Sequence, residues 1–310
     1  ASYATVGGTG LRLPPGSPLA GALWLAVGDV DRAPGASEAT IRAAAPIDEA
    51  LALTVAAGWL TDEARGVWEG GRLRVETVRR LGAIPLATTG GRTPTPAEVA
   101  AAVVDRCRDE GIGILPWHRA ATLRARLALL NRVLGEPWPP VDDAALMQRA
   151  SEWLAPAVET LAASSRHFDL DQLDMTACLR SLLPWPEAAR FEELVPERLE
   201  VPSGSQVRVE YVGEQGEALE RPVLAAKVQE CFGWEDTPRI VDGRVPVVIH
   251  LLSPARRPVA ITDDLRSFWQ QGYPQVRADM RGRYPKHAWP EDPWTAPATR
   301  GTGRRRRATK

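Results

Sequence analysis

The sequence has few cysteines and no long apolar run. Cys107, Cys178 and Cys231 are the three cysteines in 310 residues. They are odd in number and far apart, which excludes a disulfide framework and is typical of reduced, buried thiols in a cytoplasmic protein. No apolar run reaches the roughly 20 residues of a membrane-spanning helix, and no secretory signal is visible. The chain opens without Met inside a strand-like pattern, so we expect a fragment of a longer protein.

The sequence also lacks the common catalytic and cofactor motifs. Neither the phosphate-binding GxxxxGK[ST] loop nor GxGxxG occurs, and the Gly-rich segments at 7–10 and 88–93 indicate turns. The four histidines are isolated, and CxxC is absent, which disfavours a metal site. Ser203 and Ser205 lack the GxSxG context and fit a hairpin turn. We therefore predict no catalytic residue, no metal site and no cofactor in this chain, although an enzyme site assembled only in space stays open as an alternative.

Charge is unevenly distributed along the chain. The net charge is -1 overall, but residues 277–310 contain ten Lys or Arg and three acidic residues, a net +7. A polyanion would therefore meet the C-terminal end first.

The first 92 residues carry short strand-like runs separated by Gly and Pro. Gly70-Gly71 is a hairpin signal, and Leu73, Val75 and Thr77 alternate onto one buried face. Several short strands of this kind favour a small β-barrel.

Helical patterns dominate the next hundred residues. One predicted helix opens at Thr95-Pro96 and ends at Gly111. Another runs from Pro116 to Leu134, with leucines on one face and Arg119, Arg126 and Arg132 mostly off it.

Strands return after residue 196, mixed with helices. Thr262 is expected to cap a helix over 263–271, and a last helix is predicted over 273–283. The fold class predicted is therefore multidomain α+β: a barrel-like part, a helical part, a mixed part and a disordered basic tail, with boundaries at 1–92, 93–195, 196–294 and 295–310.

The sequence is rich in tryptophan, with eleven residues. Trp24, Trp59, Trp117, Trp153 and Trp185 have apolar sequence neighbours, which predicts that they belong to the core.

Residues 280–294, MRGRYPKHAWPEDPW, alternate cations with aromatic rings and are interrupted by prolines. Rings between cations can stack unpaired bases while Arg and Lys hold phosphates. The same composition suits an extended strap whose Trp rings fill grooves and whose prolines reduce ordering entropy. The two interpretations are compatible if the strap carries outward-facing arginines.

Residues 251–293 closely resemble the C-terminal end of the bacterial HrpB-type helicases of the DEAH-box group. Residues 8–31, 115–130, 201–211 and 228–240 look like the same family in the same order. The resemblance covers the chain except for its final tail.

The resemblance implies an ATP-dependent helicase that acts on RNA. Its two RecA-like domains would be followed by winged-helix, helical-bundle and oligonucleotide-binding (OB) domains, so that residues 1–92 would be the OB-like part. The phosphate loop, the Asp-Glu box that holds magnesium and the arginine finger would all lie upstream of residue 1. ATP and Mg²⁺ would then bind the core of the parent protein, and we expect no ATP hydrolysis by this chain alone.

Two functions fit these observations. The first is auxiliary binding of single-stranded RNA or DNA, weak and independent of sequence, combined with support of the chain's own helicase core. The second is a structural platform that docks another protein and makes no nucleic-acid contact. The residues predicted for the first function are Arg277, Arg281, Arg283, Lys286 and Arg304 to Arg307 for phosphates, Tyr284, His287 and Trp289 for bases, and Arg72, Arg74, Arg79 and Arg80 to guide a strand.

Overall fold

A computed structural model describes residues 1–33, 35–69, 72–165 and 168–301. The chain forms two compact units, one of residues 1–103 with 158–169 and the other of residues 104–157 with those from 170 onward. Helices and several separate sheets are mixed along the described chain, which confirms the α+β class.

Most of the first unit is built from short antiparallel strands. The strands β1 to β4 form a sheet of order β1-β2-β4-β3, in which β2 and β4 run parallel, and β5 to β7 form an antiparallel sheet in sequence order. Neither sheet closes into a barrel within the described residues. The bounds are β1 Ser2–Ala4, β2 Gly10–Arg12, β3 Trp24–Asp31, β4 Glu38–Ile47, β5 Leu60–Glu69, β6 Arg72–Leu81, β7 Ile84–Arg92, helix α1 Glu49–Val55 and helix α2 Pro96–Glu110.

The alternation of side chains along β6 and the residues at its turns explain how the strands of the first unit form. Val75 is buried on β6, as its period-two pattern predicts. Glu69 pairs with Arg72, so the predicted hairpin connection falls at residues 70–71, which lie outside the described residues. Gly82 has φ +57°, and an added Cβ would lie 2.3 Å from the carbonyl oxygen of Val6, so this close approach requires glycine.

The start of α2 is fixed by a capping box. The backbone N–H of Glu98 donates to Oγ1 of Thr95 over 3.3 Å, and the N–H of Thr95 donates to Oε2 of Glu98 over 2.8 Å. Arg92 donates to both carboxylate oxygens of Glu98. This ion pair lowers the pKa of Glu98 to about 2, with the Thr95 hydrogen bond adding to the effect. The helix start predicted at Thr95-Pro96 is confirmed.

The second unit contains a five-stranded sheet of order β14-β13-β10-β9-β8, in which β10 and β13 run parallel, and a two-stranded sheet of β11 and β12. The remaining strands are β8 Arg198–Glu200, β9 Gln206–Val212, β10 Ala218–Lys227, β11 Arg239–Ile240, β12 Val245–Pro246, β13 Val248–Leu252 and β14 Pro258–Thr262. The remaining helices are α3 Ala121–Leu134, α4 Asp143–Gln148, α5 Ala150–Ser164, α6 Met175–Arg180, α7 Phe191–Leu194, α8 Leu265–Ser267 and α9 Tyr273–Arg283.

Helix α3 is central to the core of this unit. Leu123, Leu127 and Leu130 are buried as their spacing predicts. The helix begins at Ala121 rather than Pro116, because a separate 3₁₀ turn occupies Trp117–Arg119.

The prediction that Arg126 lies off the buried face of α3 is wrong. Its side chain is 2% exposed. Its guanidinium lies 4.5 Å from the centroid of the Phe191 ring and donates to Glu192, Glu197 and the carbonyl oxygen of Val195. Three hydrogen-bonded acceptors and an aromatic ring replace the water that the charge loses.

Two other predictions need correction. Asp264, rather than Thr262, caps the short helix α8, because its carboxylate accepts from the N–H of Ser267. Trp153 is buried as predicted, but Trp59 and Trp185 are exposed because apolar sequence neighbours do not guarantee a tertiary partner.

Candidate nucleic-acid interface

Helix α9 positions the segment that the sequence singled out, and its bounds match the predicted helix. Its first residue, Tyr273, packs edge-on against Phe232 and Trp269, with ring centroids 5.8 and 5.5 Å away. Met280 is buried further along the same side. The N-terminal end of α9 is therefore attached to an aromatic cluster, and Met280 packs in the core near its C-terminal end.

Residues 284–300, which we call the C-terminal strap, are held on the second unit by hydrogen bonds. Trp289 is buried, and its Nε1–H donates to the carbonyl oxygen of Tyr284 over 3.0 Å. The hydroxyl of Tyr273 donates to the carbonyl oxygen of Pro290 over 2.9 Å. Trp289 thus packs as a strap residue and offers no free ring face to a base.

The later half of the strap is tied to the segment after β10. The N–H of Gly233 donates to the carbonyl oxygen of Pro293 over 2.9 Å. The N–H of Thr299 donates to the carbonyl oxygen of Gln229 over 2.9 Å. Part of the predicted tail is therefore attached to the unit, and residues 302–310, including Arg304 to Arg307, lie outside the described residues.

Arg300 fastens the end of the strap to the predicted hairpin turn. It donates to the carbonyl oxygens of Ser203 and Gly204. The turn is itself held because the hydroxyl of Ser205 donates to Oε1 of Glu230 over 2.7 Å. The turn assigned to these serines from sequence is confirmed.

Arg277 contributes to the strap contacts. Its Nε–H donates to the carbonyl oxygen of Trp289 over 2.9 Å, and its Nη2 lies 3.0 Å from Oε1 of Glu291. The side chain is about three-quarters buried. The positive charge of Arg277 is therefore paired within the protein.

Arg281, Arg283 and Lys286 behave differently, and we call them the basic edge. All three are exposed, and within the described part of the chain none makes an ion pair or a side-chain hydrogen bond. Arg281 and Arg283 occupy the last turn of α9, where the helix dipole favours positive charge. The basic edge therefore presents uncompensated charge from a fixed backbone.

Tyr284 and His287 lie between the basic edge and the buried Trp289. Both are half-buried, and their rings meet edge to face with centroids 6.3 Å apart. Nδ1 of His287 lies 3.2 Å from Nε2 of Gln229, a fully buried amide. These two rings are partly accessible beside the cations.

The arginines of β6 belong to the first unit and do not form one surface. Arg74 and Arg80 share a face by strand alternation, and Arg79 lies on the other. The strand position of Arg72 is described but its side chain is not. The contacts are Arg74 Nε to Glu69 Oε2 at 3.6 Å, Arg79 Nε to Asp62 Oδ1 at 4.0 Å, and Arg80 Nη2 to the carbonyl oxygen of Ala83 at 3.0 Å.

Two negative findings apply to the described residues. Among them, no three His, Cys, Asp or Glu side chains are grouped so that they could hold a metal ion. None of their helices combines the length and apolar character needed to cross a bilayer.

Comparison with known proteins identifies the class. Residues 153–293 match the family HrpB_C, described as ATP-dependent helicase C-terminal. The chain therefore belongs to the HrpB type and corresponds to the C-terminal region of those helicases, as its motifs predicted.

Individual relatives agree with this class. The chain is 38% identical over 239 residues to the ATP-dependent RNA helicase HrpB of Escherichia coli strain K12, which covers 76% of the chain and 29% of the relative. A crystal structure of the E. coli DExH-box NTPase HrpB matches with a TM-score of 0.65 and 32% identity, over 96% of this chain and 37% of that one. A second, of the E. coli DEAH/RHA helicase HrpB, matches with a TM-score of 0.57 and 28% identity, over 93% and 35%. The chain thus spans about a third of the length of its relatives.

Proposed function

We propose that this chain is a non-catalytic accessory region of a cytoplasmic HrpB-type RNA helicase. In this role it binds single-stranded RNA or DNA weakly at the basic edge and supports the motor core. The observation that carries the proposal is the state of Arg281, Arg283 and Lys286, which are exposed and have no counter-ion among the described residues.

The strap holds the basic edge in a fixed position. Its hydrogen bonds fix the backbone on both sides of the basic edge, so little ordering entropy is lost when a strand binds. Three cations can release about three counter-ions from a nucleic acid, which gives modest affinity without base recognition. The half-buried rings of Tyr284 and His287 add aromatic surface on which a base can stack.

The finer assignments belong to the same proposal. The first unit, with its short antiparallel strands, is the OB-like part, and Arg74 and Arg80 on one face of β6 guide the strand. The basic tail of residues 302–310 adds charge to the interface. ATP and Mg²⁺ bind the helicase core of the longer protein.

Fluorescence anisotropy of a labelled single-stranded RNA, followed across a salt series, tests the proposal. We compare the chain with the triple variant Arg281→Ala, Arg283→Ala, Lys286→Ala. For single strands, log K falls by about 0.7 per log unit of salt for each phosphate contact, so the triple variant should lose about 2 units of slope. The comparison is repeated after removal of residues 302–310, because that tail carries charge of its own.

A matched control removes the same number of exposed charges elsewhere in the second unit. Arg244, Arg256 and Arg257 are exposed and form no ion pair within the described residues, so their triple alanine variant changes net charge equally. A similar loss of binding in both triple variants would show that net charge, rather than the basic edge, determines affinity, and would contradict the proposal.

The platform function is the second candidate. It is favoured by the burial of Trp289 and by the pairing of Arg277 with Glu291. It predicts that the chain does not bind RNA at low salt, with or without the basic edge.

A further inference from the structure

One face of the five-stranded sheet in the second unit is apolar although it lies outside the core. Helix α3 packs on β9 and β10, and Leu224, Ile249 and Leu251 are fully buried on the core side. Because side chains alternate across a strand, the residues between them point to the opposite side. We call this side of β10, β13 and β14 the outer sheet face, and its residues are Val223, Ala225, Val248, His250, Leu252 and Ile261.

The strand register brings these side chains next to one another. Val223 on β10 is paired with Val248 on β13. In the next row Ala225 is paired with His250, and His250 with Ile261 on β14. All of them are at least partly exposed, and Ile261 is 63% exposed. A sheet face turned to water normally carries polar residues, so this contiguous aliphatic surface indicates an interaction site.

The dimensions of the outer sheet face fit one helix. Three strands about 4.8 Å apart make it roughly 10 Å wide, which is the diameter of an α-helix. The five residues of β13 extend for about 16 Å, which is the length of roughly three helical turns.

One end of the outer sheet face is basic. Arg256 and Arg257 lie in the turn between β13 and β14, and Lys227 is paired with Leu252 at the same end. Within the described part of the chain, none of these three cations makes an ion pair or a side-chain hydrogen bond. The N–H of Ser253 donates to the carbonyl oxygen of Arg257, and the N–H of Arg256 donates to that of Ser253, both over 2.8 Å. The turn therefore presents its charges from a fixed backbone.

We propose that the outer sheet face docks an amphipathic helix of another protein, with aliphatic residues against the sheet and acidic residues at the basic end. Charge complementarity selects the acidic residues. His250 agrees with this choice, because its ring makes no side-chain hydrogen bond among the described residues. Once the face is covered, a carboxylate of the partner can accept from the ring N–H. This inference does not depend on the proposed nucleic-acid role.

Other occupants fit this surface less well. Unpaired bases stack on aromatic rings, whereas the outer sheet face has aliphatic side chains around one histidine. Residues 302–310 of this chain include four consecutive arginines, which the basic end would repel.

Peptide binding to the full-length protein tests this inference. The probe is a fluorescein-labelled peptide of roughly 15 residues, long enough to form a helix, with Leu and Ala on one side and Glu elsewhere. The control peptide has Lys in place of every Glu. Fluorescence anisotropy should show binding of the acidic peptide, and the Lys peptide should bind at least about tenfold more weakly.

Charge variants locate the site. The triple alanine variant of Arg244, Arg256 and Arg257, which serves as the control in the RNA experiment, should weaken binding of the acidic peptide about tenfold. The triple alanine variant of the basic edge removes the same charge and should leave peptide binding unchanged. An equal loss in both variants would overturn the inference, because net charge would then explain the binding.

An apolar variant tests the aliphatic part of the surface. Ile261→Ser should weaken peptide binding about fivefold, and its exposed position keeps the fold intact. Val30→Ser is the matched control, because Val30 is a 45% exposed strand residue of the first unit, and it should have no effect. An unchanged affinity in Ile261→Ser would overturn the inference.

Three further outcomes would assign the outer sheet face to another occupant, and each would also overturn the inference. Displacement of the peptide by single-stranded RNA would make nucleic acid the occupant. A mass from light scattering that falls on Ile261→Ser would indicate a second copy. No binding of the acidic peptide to the full-length protein would show that the face is covered or inert. RNA anisotropy on the same variants measures the proposed function separately, so that either proposal can fail alone.

Discussion

The Nε–H of Arg126 donates to the carbonyl oxygen of Val195 over 2.6 Å, although 69 residues separate them in sequence. This carbonyl oxygen follows α7, and the same guanidinium reaches Glu192 and Glu197 on either side of it. One buried cation therefore connects α3 to the segment that leads into the five-stranded sheet.

Arg126→Ala should lower the free energy of unfolding by about 2–4 kcal/mol, because it leaves a buried carbonyl oxygen unpaired and a cavity beside Phe191. Urea denaturation monitored by tryptophan fluorescence measures the change. Arg119→Ala on the preceding turn is the control, and its exposed position predicts a change within about 0.5 kcal/mol. Equal effects of the two substitutions would contradict the assigned role of Arg126.

Trp289→Phe should destabilise the second unit by about 1–2 kcal/mol while leaving RNA affinity unchanged. The substitution removes the hydrogen bond to the carbonyl oxygen of Tyr284 but keeps an apolar ring in the buried position. Denaturation and anisotropy on the same sample measure both quantities. A loss of RNA affinity without loss of stability would instead place the indole ring in the binding surface.

The three thiols should be inert in the folded protein at pH 8. Burial raises the pKa of Cys107 and Cys178 to about 11 and that of Cys231 to about 12. At pH 8 the thiolate fraction is then about one in a thousand or less. A disulfide reagent should modify less than one thiol per chain in the native protein and all three in urea. Rapid reaction of any one cysteine in the native protein would contradict this prediction and show that the helix or turn around it opens.

The capping box of α2 should make the first unit sensitive to acid. Glu98→Gln should lower the melting temperature at pH 7, since it removes the ion pair with Arg92. The folded pKa of Glu98 is lowered to about 2, so its contribution is complete above the unfolded pKa of about 4.3 and is lost as pH falls through about 2. The difference between variant and wild type should therefore shrink between about pH 4 and pH 2.

Asp109→Asn on the same helix is the control for this experiment, because Asp109 is exposed and has no ion pair among the described residues. Its effect on the melting temperature should be small and independent of pH. A constant difference for Glu98→Gln across this range would contradict the proposed cap.

Local signals were sufficient to predict some elements. The bounds of α9 and the turn at Ser203 and Gly204 follow from residues within a few positions. The residues of strand β5 carry no strand pattern of their own, because they are polar and mostly exposed, and only the hairpin signal at Gly70-Gly71 indicates a strand there. They form a strand because β6 pairs with them along its whole length.

The candidate site was likewise predictable from the sequence only in part. Composition identified the cations of residues 277–286, but it did not separate Arg277, which is paired with Glu291, from Arg281 and Arg283, which are exposed. That difference depends on how the strap turns back over α9. The outer sheet face also escaped sequence reasoning, since the apolar run of β13 is typical of a strand buried on both faces, whereas Val248 and Leu252 are partly exposed.

The strap has a consequence for synthesis of the protein. Arg300 closes on Ser203 across 97 residues, and His287 meets Gln229 across 58. During translation, the turn at residues 203–205 therefore leaves the ribosome long before its fastening partner exists. A released chain that ends before residue 284 lacks the carbonyl oxygen of Pro290, to which the hydroxyl of Tyr273 donates. Truncated products of this region should accordingly fold less completely than full-length chains and be bound by chaperones more often.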